Sequence, residues 1–201
     1  MLVIYYDNPN EWSDKYLKWL VKDCEDKGIE YVVVNNFDDY SNEYLGYPTL
    51  PMMPVKDEAI LNYLRMYSHY DIDNASGDGF YTDATAQGIY NYITANYTDR
   101  ATAISVIGRG KVGKALTDML IEYGYTIHSF NSKSDKGDMY NICKHFSDIV
   151  VGLSTENVFN DLNSANLIAH NTLLIDASNT FDAKDKLRCG KWTREVILSR
   201  V

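Results

Sequence analysis

Basic residues are scarce in this chain: 19 Lys and Arg stand against 28 Asp and Glu, for a net charge of -9 at pH 7. Nucleic acid is bound chiefly through clustered cations that displace counterions, so this deficit argues against such a partner. Cysteine is sparse too. Cys24, Cys143 and Cys189 lie far apart, and neither they nor His69, His128, His145 and His170 fall at metal-ligand intervals. No disulfide framework and no metal site are therefore expected, and a reducing, cytoplasmic setting is the natural one. No apolar run approaches a membrane span, and Met1-Leu2-Val3-Ile4-Tyr5-Tyr6 meets Asp7 without a basic leader, so neither membrane nor secretion is expected. Only 4 Pro and 12 Gly exclude collagenous and low-complexity chains.

What is present is a globular composition: 201 residues, 45% of them hydrophobic, enough for one full α/β domain and a smaller companion. Residues 2–6 read as a buried strand, closed by the turn chemistry of Asp7-Asn8-Pro9-Asn10. Leu17, Leu20, Val21 and Cys24 fall at i, i+3, i+4 and i+7, predicting a helix with Ser13 or Asp14 as its cap and Gly28 as its stop. A second strand follows over 30–34. Residues 35–54 are polar and then punctuated by Pro48, Pro51 and Pro54, so they are expected to be largely loop or sheet edge. A helix is predicted over 57–67, a loop over 71–79, and another helix capped by Thr85 and running to about Tyr97.

From Ala101 the pattern changes. Apolar runs over 103–107, 126–130, 148–152 and 172–176 alternate with helical segments over 112–123, 139–146 and 158–168. Repeated β-α units imply a parallel sheet with right-handed crossovers. The expected organisation is an α/β fold with an N-terminal α/β domain over 1–84, a linking helix over 85–98 and a Rossmann-type domain over 99–190. A segment over 191–201 is expected to return to the first domain, with the ligand site in the cleft between the domains.

The sharpest motif is Gly108-Arg109-Gly110-Lys111-Val112-Gly113, a G-x-G-x-x-G between the strand at 103–107 and the helix that follows. In this context Gly108 permits a tight turn, Gly110 lets backbone approach a pyrophosphate, and Gly113 allows close helix–strand packing. The helix N-terminus adds free N–H groups and positive dipole. An NAD site usually places Asp or Glu about 20 residues on, to hold the ribose hydroxyls. This chain has Asn131-Ser132-Lys133-Ser134 there instead. With Arg109, these residues suit a 2′-phosphate, which favours NADP over NAD.

These residues resemble the bifunctional methylenetetrahydrofolate dehydrogenase/cyclohydrolase (FolD-type) family. Gly108-Arg109-Gly110, Val112-Gly113, Asn131-Ser132-Lys133-Ser134, Ser147-Asp148-Ile149-Val150-Val151 and Leu174-Ile175-Asp176 follow the family's order. Upstream, Asp7-Asn8-Pro9, Tyr16-Leu17-Lys18-Trp19-Leu20, Cys24-Glu25 and Gly28-Ile29 are similar to its first helix. Leu50-Pro51 is similar to its Gln-Leu-Pro loop, with Thr49 in place of Gln, and Asp78-Gly79-Phe80 and Asp83–Ile89 are similar to its later motifs. The resemblance implies NADP-dependent oxidation of 5,10-methylenetetrahydrofolate, a tetrahydrofolate-type substrate and a homodimer. It implies Tyr16 and Asp78 as catalytic residues, with Thr49, Leu50, Pro51 and Thr85 near the substrate. Tyr16 can equally be a packing aromatic, and Asp78 a solvated loop acid. The family's catalytic lysine sits one turn beyond its tyrosine, where this chain has Leu20. Leucine supplies neither charge nor proton, so the cyclohydrolase step is expected to be weak or absent. A catalytically degenerate nucleotide- or folate-binding protein is the alternative.

Overall fold

The computed structural model describes residues 1–52, 54–73, 82–178 and 180–201, without the side chain of Thr82. The chain divides into two units, one made of Met1–Ala84 with Arg194–Val201 and the other of Thr85–Thr193.

In the first unit, β1 (Leu2–Tyr5), β2 (Tyr31–Val34) and β3 (Thr49–Pro51) form a parallel sheet in the order β2-β1-β3. Strand β1 is apolar throughout because both of its faces are covered. Leu2 and Ile4 pack with Tyr16, Leu20, Cys24 and Leu50, whereas Val3 and Tyr5 pack with Tyr40, Ile60 and Leu64. Helix α1 (Glu11–Lys27) begins earlier than expected. Its cap is Asn10, not Ser13 or Asp14. The Asn10 carboxamide accepts from the Ser13 N–H at 3.0 Å while Ser13 Oγ accepts from the Asn10 N–H at 3.0 Å, so Ser13 is the inner half of a capping box. Gly28, at φ 66°, ends the helix in the left-handed region. The buried stripe runs through Ser13, Tyr16, Leu20 and Cys24, with Leu17 and Val21 on its flank.

Within residues 35–52 the expected sheet edge is present as β3, but the expected loop also holds a helix. Helix α2 (Phe37–Glu43) is capped by Asn36, and β3 takes the far side of β1. The short helix shows no apolar period. It is held instead by Tyr40, buried edge-on against Tyr5 with ring centroids 6.0 Å apart. Helix α3 (Glu58–Met66), capped by Asp57, precedes a 3-10 turn over Ser68–Tyr70, and Asp71 then bridges Thr49 in parallel fashion.

Helix α4 (Thr82–Asn96) leads to β4 (Ala103–Ile107), α5 (Lys111–Tyr123), β5 (Thr126–Phe130), α6 (Lys136–Phe146), β6 (Ile149–Gly152), α7 (Asp161–Ala169) and β7 (Leu173–Asp176). Two-residue β8 (Leu187–Arg188) and α8 (Gly190–Leu198) follow. The strands are all parallel, in the order β5-β4-β6-β7-β8. Thr85 does not cap α4, which starts three residues before it. The N–H of Ala84 in that first turn is taken by Asp73 Oδ1 at 3.2 Å, so a carboxylate from outside the helix does the capping. From β4 the chain steps to β5 on one side and returns to β6 on the other. The switch in direction therefore lies between β4 and β6, where open α/β sheets place their ligand crevice.

Candidate functional site

The glycine turn is built across the carboxyl ends of three strands. The Gly108 N–H donates to Phe130 O at 2.9 Å, and the Leu153 N–H donates to Ile107 O at 2.8 Å. Two of the three glycines are demanded by the fold. Gly108 sits at φ 111°, and a Cβ there would lie 2.9 Å from the Leu153 carbonyl carbon. A Cβ at Gly113 would lie 1.8 Å from Gly108 O, so helix α5 touches the turn through backbone alone. Gly110 is different. Its φ of -69° suits any residue, and a Cβ there would meet nothing within 4 Å. It is also the N-cap of α5, and no side chain caps that end. The result is a helix N-terminus beside open space, the arrangement that receives an anion on backbone N–H groups. Arg109, Gly110 and Lys111 are exposed at this point, Val112 is half-buried and Gly113 buried.

The register Ile107↔Phe130 brings Asn131 level with Gly108. Asn131 Oδ1 accepts from the Lys133 N–H at 2.8 Å, and the Asn131 N–H donates to Ser134 Oγ at 3.0 Å. This tight turn leaves Asn131, Ser132 and Lys133 exposed at the same sheet edge as Gly108–Gly113. The next acid, Asp135, caps α6 by accepting from the Asp138 N–H at 2.9 Å. No acidic residue lies within the 131–134 turn itself. Sequence reasoning passed over the opposite wall, where Ser154 is held by reciprocal bonds with Thr180 Oγ1 at 3.0 and 2.9 Å. Asp176, at the end of β7, is buried and paired with Lys186 at 2.8 Å and Arg188 at 3.3 Å, so it joins β7 to β8.

In the first unit, Tyr16 is buried with its ring stacked on Trp12 at 5.5 Å, and the Arg194 guanidinium lies over it at 5.8 Å. Arg194 in turn pairs with Asp23 at 2.6 Å. Leu20 is completely buried. Thr49, Leu50 and Pro51 are all buried in β3, and Thr49 Oγ1 is already engaged, with the Tyr40 hydroxyl at 2.9 Å and Tyr47 O at 2.8 Å. Thr85 is half-buried within α4, where its Oγ1 accepts from Thr193 Oγ1 at 3.4 Å. Asp78 lies outside the described residues.

The carboxylate that the structure brings forward is Asp73. It follows the Thr49↔Asp71 bridge by two residues, a step that takes β3 from Thr49 to its carboxyl end at Pro51. Its side chain is fully buried. Oδ1 accepts from the Ala84 N–H at 3.2 Å and from Arg200 Nη1 at 3.3 Å, while among the described residues Oδ2 has no hydrogen-bond partner. Burial drives its pKa up to about 7, with the Ala84 N–H and Arg200 pulling the other way. Its neighbours Ile72 and Ala84 share one apolar cluster with Tyr16, Leu50 and Met52. The sequence signal was Asp71-Ile72-Asp73, an acid–apolar–acid alternation at the head of a segment that otherwise reads as loop. Among the described residues, no group of three or more His, Cys, Asp and Glu is placed to hold a metal, and no helix is long and apolar enough to cross a membrane.

These features define a Rossmann-type dinucleotide-binding fold accompanied by a smaller parallel α/β unit. The same fold is found in solved folate enzymes. The chain is similar to a 5,10-methylenetetrahydrofolate dehydrogenase from the silkworm Bombyx mori, with a TM-score of 0.72 and 16% identity over 99% of this chain and 84% of that one. It is similar to the NAD-dependent 5,10-methylenetetrahydrofolate dehydrogenase of Saccharomyces cerevisiae, at a TM-score of 0.71 and 15% identity over 99% and 84% of the two chains. It is also similar to the Trypanosoma brucei methylenetetrahydrofolate dehydrogenase-cyclohydrolase solved with NADP and an inhibitor, at 0.65 and 15% over 99% and 83%. No family sequence model and no curated protein matches the chain.

Proposed function

We propose that the protein is an NADP-dependent dehydrogenase that oxidises 5,10-methylenetetrahydrofolate to 5,10-methenyltetrahydrofolate. The observation that carries this reading is Gly110: the one glycine of the turn that the fold does not need, beside open space at an uncapped helix start. Backbone N–H groups at 110–113 receive the diphosphate, while Arg109, Asn131, Ser132 and Lys133 receive the 2′-phosphate. When bound, the nicotinamide supplies the hydride acceptor. The chain's own part is alignment and charge. Tyr16 packs at the substrate, and a buried carboxylate accepts from an N–H of the pterin edge. Asp73, buried and with Oδ2 unpartnered among the described residues, is a carboxylate that suits that role, beside the Asp78 that the resemblance implies.

Hydride loss leaves a cation that the two flanking nitrogens of the substrate stabilise, so no protein base has to take a proton in this step. Ring opening of that cation by water does need an activated water. With Leu20 in the apolar cluster where the resemblance calls for lysine, the methenyl product accumulates. The apolar residue at that position also favours a second reading, a binding protein on this scaffold without turnover.

A spectrophotometric assay with methylenetetrahydrofolate and each coenzyme, read separately for reduced nicotinamide and for methenyl product, tests the proposal. Reduced NADP with persisting methenyl absorbance is the expected result. Tight NADP binding without turnover selects the second reading, and no response to either coenzyme overturns both. A cytoplasmic location belongs to the same reading, supported by the free, buried Cys24, Cys143 and Cys189. So does a homodimer, for which sedimentation is the test.

A further inference from the structure

We propose that Arg200 is a positioning residue for the candidate substrate carboxylate Asp73, fixing Oδ1 and the adjoining backbone so that Oδ2, unpartnered among the described residues, is left to accept from a ligand. This rests on the reading of Asp73 given above. The geometry starts from α8, whose Val196, Ile197 and Leu198 are buried among Leu2, Ile4, Leu50 and Ile72. That anchorage, continued by the Arg200 N–H bond to Ile197 O at 3.1 Å, delivers the guanidinium to a fixed place. Arg200 Nη1 donates to Ile72 O at 2.8 Å and to Asp73 Oδ1 at 3.3 Å, so one cation grips both the backbone and the side chain of the segment.

Among the described residues, the groups facing Asp73 come from three elements. Arg200 comes from the segment after α8. Asp83 and the Ala84 N–H come from the start of α4, and Asp71 from the chain just before. Asp71 and Asp83 both favour the protonated acid, which donates where the substrate edge requires an acceptor. Arg200 opposes them. A carboxylate with Oδ1 tied down and Oδ2 open is the form that accepts from an N–H edge. The neutral acid is not.

The burial that raises Asp73 to about 7 brings its titration close to neutrality, so loss of the guanidinium is felt there. The experiment has two readouts on the intact chain. One is the Asp73 titration midpoint, followed by carboxyl 13C NMR without ligand. The other is tetrahydrofolate affinity by calorimetry between pH 6 and 9. In Arg200→Gln the midpoint is expected to rise by about one pH unit, which cuts the ionised fraction at pH 7, and with it the affinity, by about fivefold. Affinity converges on the wild-type value as the pH approaches 9, and Arg200→Lys retains most of it at all pH values. An unmoved midpoint, or an affinity loss equal at every pH, overturns the proposal. The substrate reading is judged separately: if Asp73→Asn binds tetrahydrofolate as tightly as wild type, that reading fails, while the NMR midpoint still decides what Arg200 does to the carboxylate.

Discussion

Substituting the turn glycines one at a time separates fold from ligand, because the structure assigns them different duties. In Gly113→Ala the new methyl would sit 1.8 Å from Gly108 O, against backbone that has no side chain to swing aside. Helix α5 has to move by more than an ångström, and overpacking of this severity costs about 3 kcal/mol or more. For a chain of this size that lowers Tm by roughly 6–12 °C. In Gly110→Ala the methyl enters empty space at φ -69°, an ordinary value for alanine. Loss of glycine's unfolded-state freedom stabilises by about 0.4–1 kcal/mol, and alanine's weakness as an N-cap offsets this by a similar amount. Stability should therefore change by less than about 1 kcal/mol. NADP affinity should fall at least tenfold, the equivalent of about 1.4 kcal/mol, as the methyl occupies the diphosphate's approach. Gly110→Asp sharpens the contrast. A better cap adds a few tenths of a kcal/mol, while its charge repels phosphate. Thermal denaturation and isothermal titration with NADP read both quantities on the same samples. Equal destabilisation by Gly110→Ala and Gly113→Ala, or unchanged NADP binding in Gly110→Ala, would refute the assignment.

Thr49→Val removes the hydroxyl that meets Tyr40 and Tyr47 O and leaves the buried Tyr40 phenol short of a partner. Urea titration should show a loss of about 1–3 kcal/mol, with tetrahydrofolate affinity unchanged if the residue is purely structural. Leu20→Lys places an ammonium in the cluster formed by Leu2, Ile4, Cys24 and Leu50. It should lower Tm by roughly 6–12 °C, corresponding to about 3 kcal/mol; a folded, dehydrogenase-active variant that gains no hydrolysis of the methenyl product would show that this position does not correspond to the family's lysine. Lys133→Ala, at an exposed turn, should leave Tm in place and weaken NADP about tenfold while sparing NAD. Equal effects on both coenzymes, measured by fluorescence titration, would remove Lys133 from the phosphate site.

The glycine turn was legible because its requirements are local: an apolar strand, three spaced glycines and an amphipathic helix leave few alternatives. The alternating runs from Ala103 to Asp176 likewise announced a parallel sheet. Helix α2 escaped notice because it is held by Tyr40 against Tyr5, a contact between distant segments. Ser13 and Asp14, just ahead of an apolar stripe, carry the usual signal for the cap of α1, yet the reciprocal bonds between Asn10 and Ser13 set the start further back. Asp73 was hidden for a related reason. Its partners are Ala84 and Arg200, neither of which is near it in sequence.

Because the first unit combines residues 1–84 with residues 194–201, its completion has to wait for the whole of the second. During vectorial synthesis Val196, Ile197 and Leu198 emerge after residues 85–193, so the cluster that Leu2 and Ile4 form with Tyr16, Leu20, Cys24 and Leu50 lacks these three members until then. The N-terminal unit thus receives its last residues only after the second unit has all of its own. A nascent chain stalled just short of Arg194 would be a ready client for a holdase chaperone.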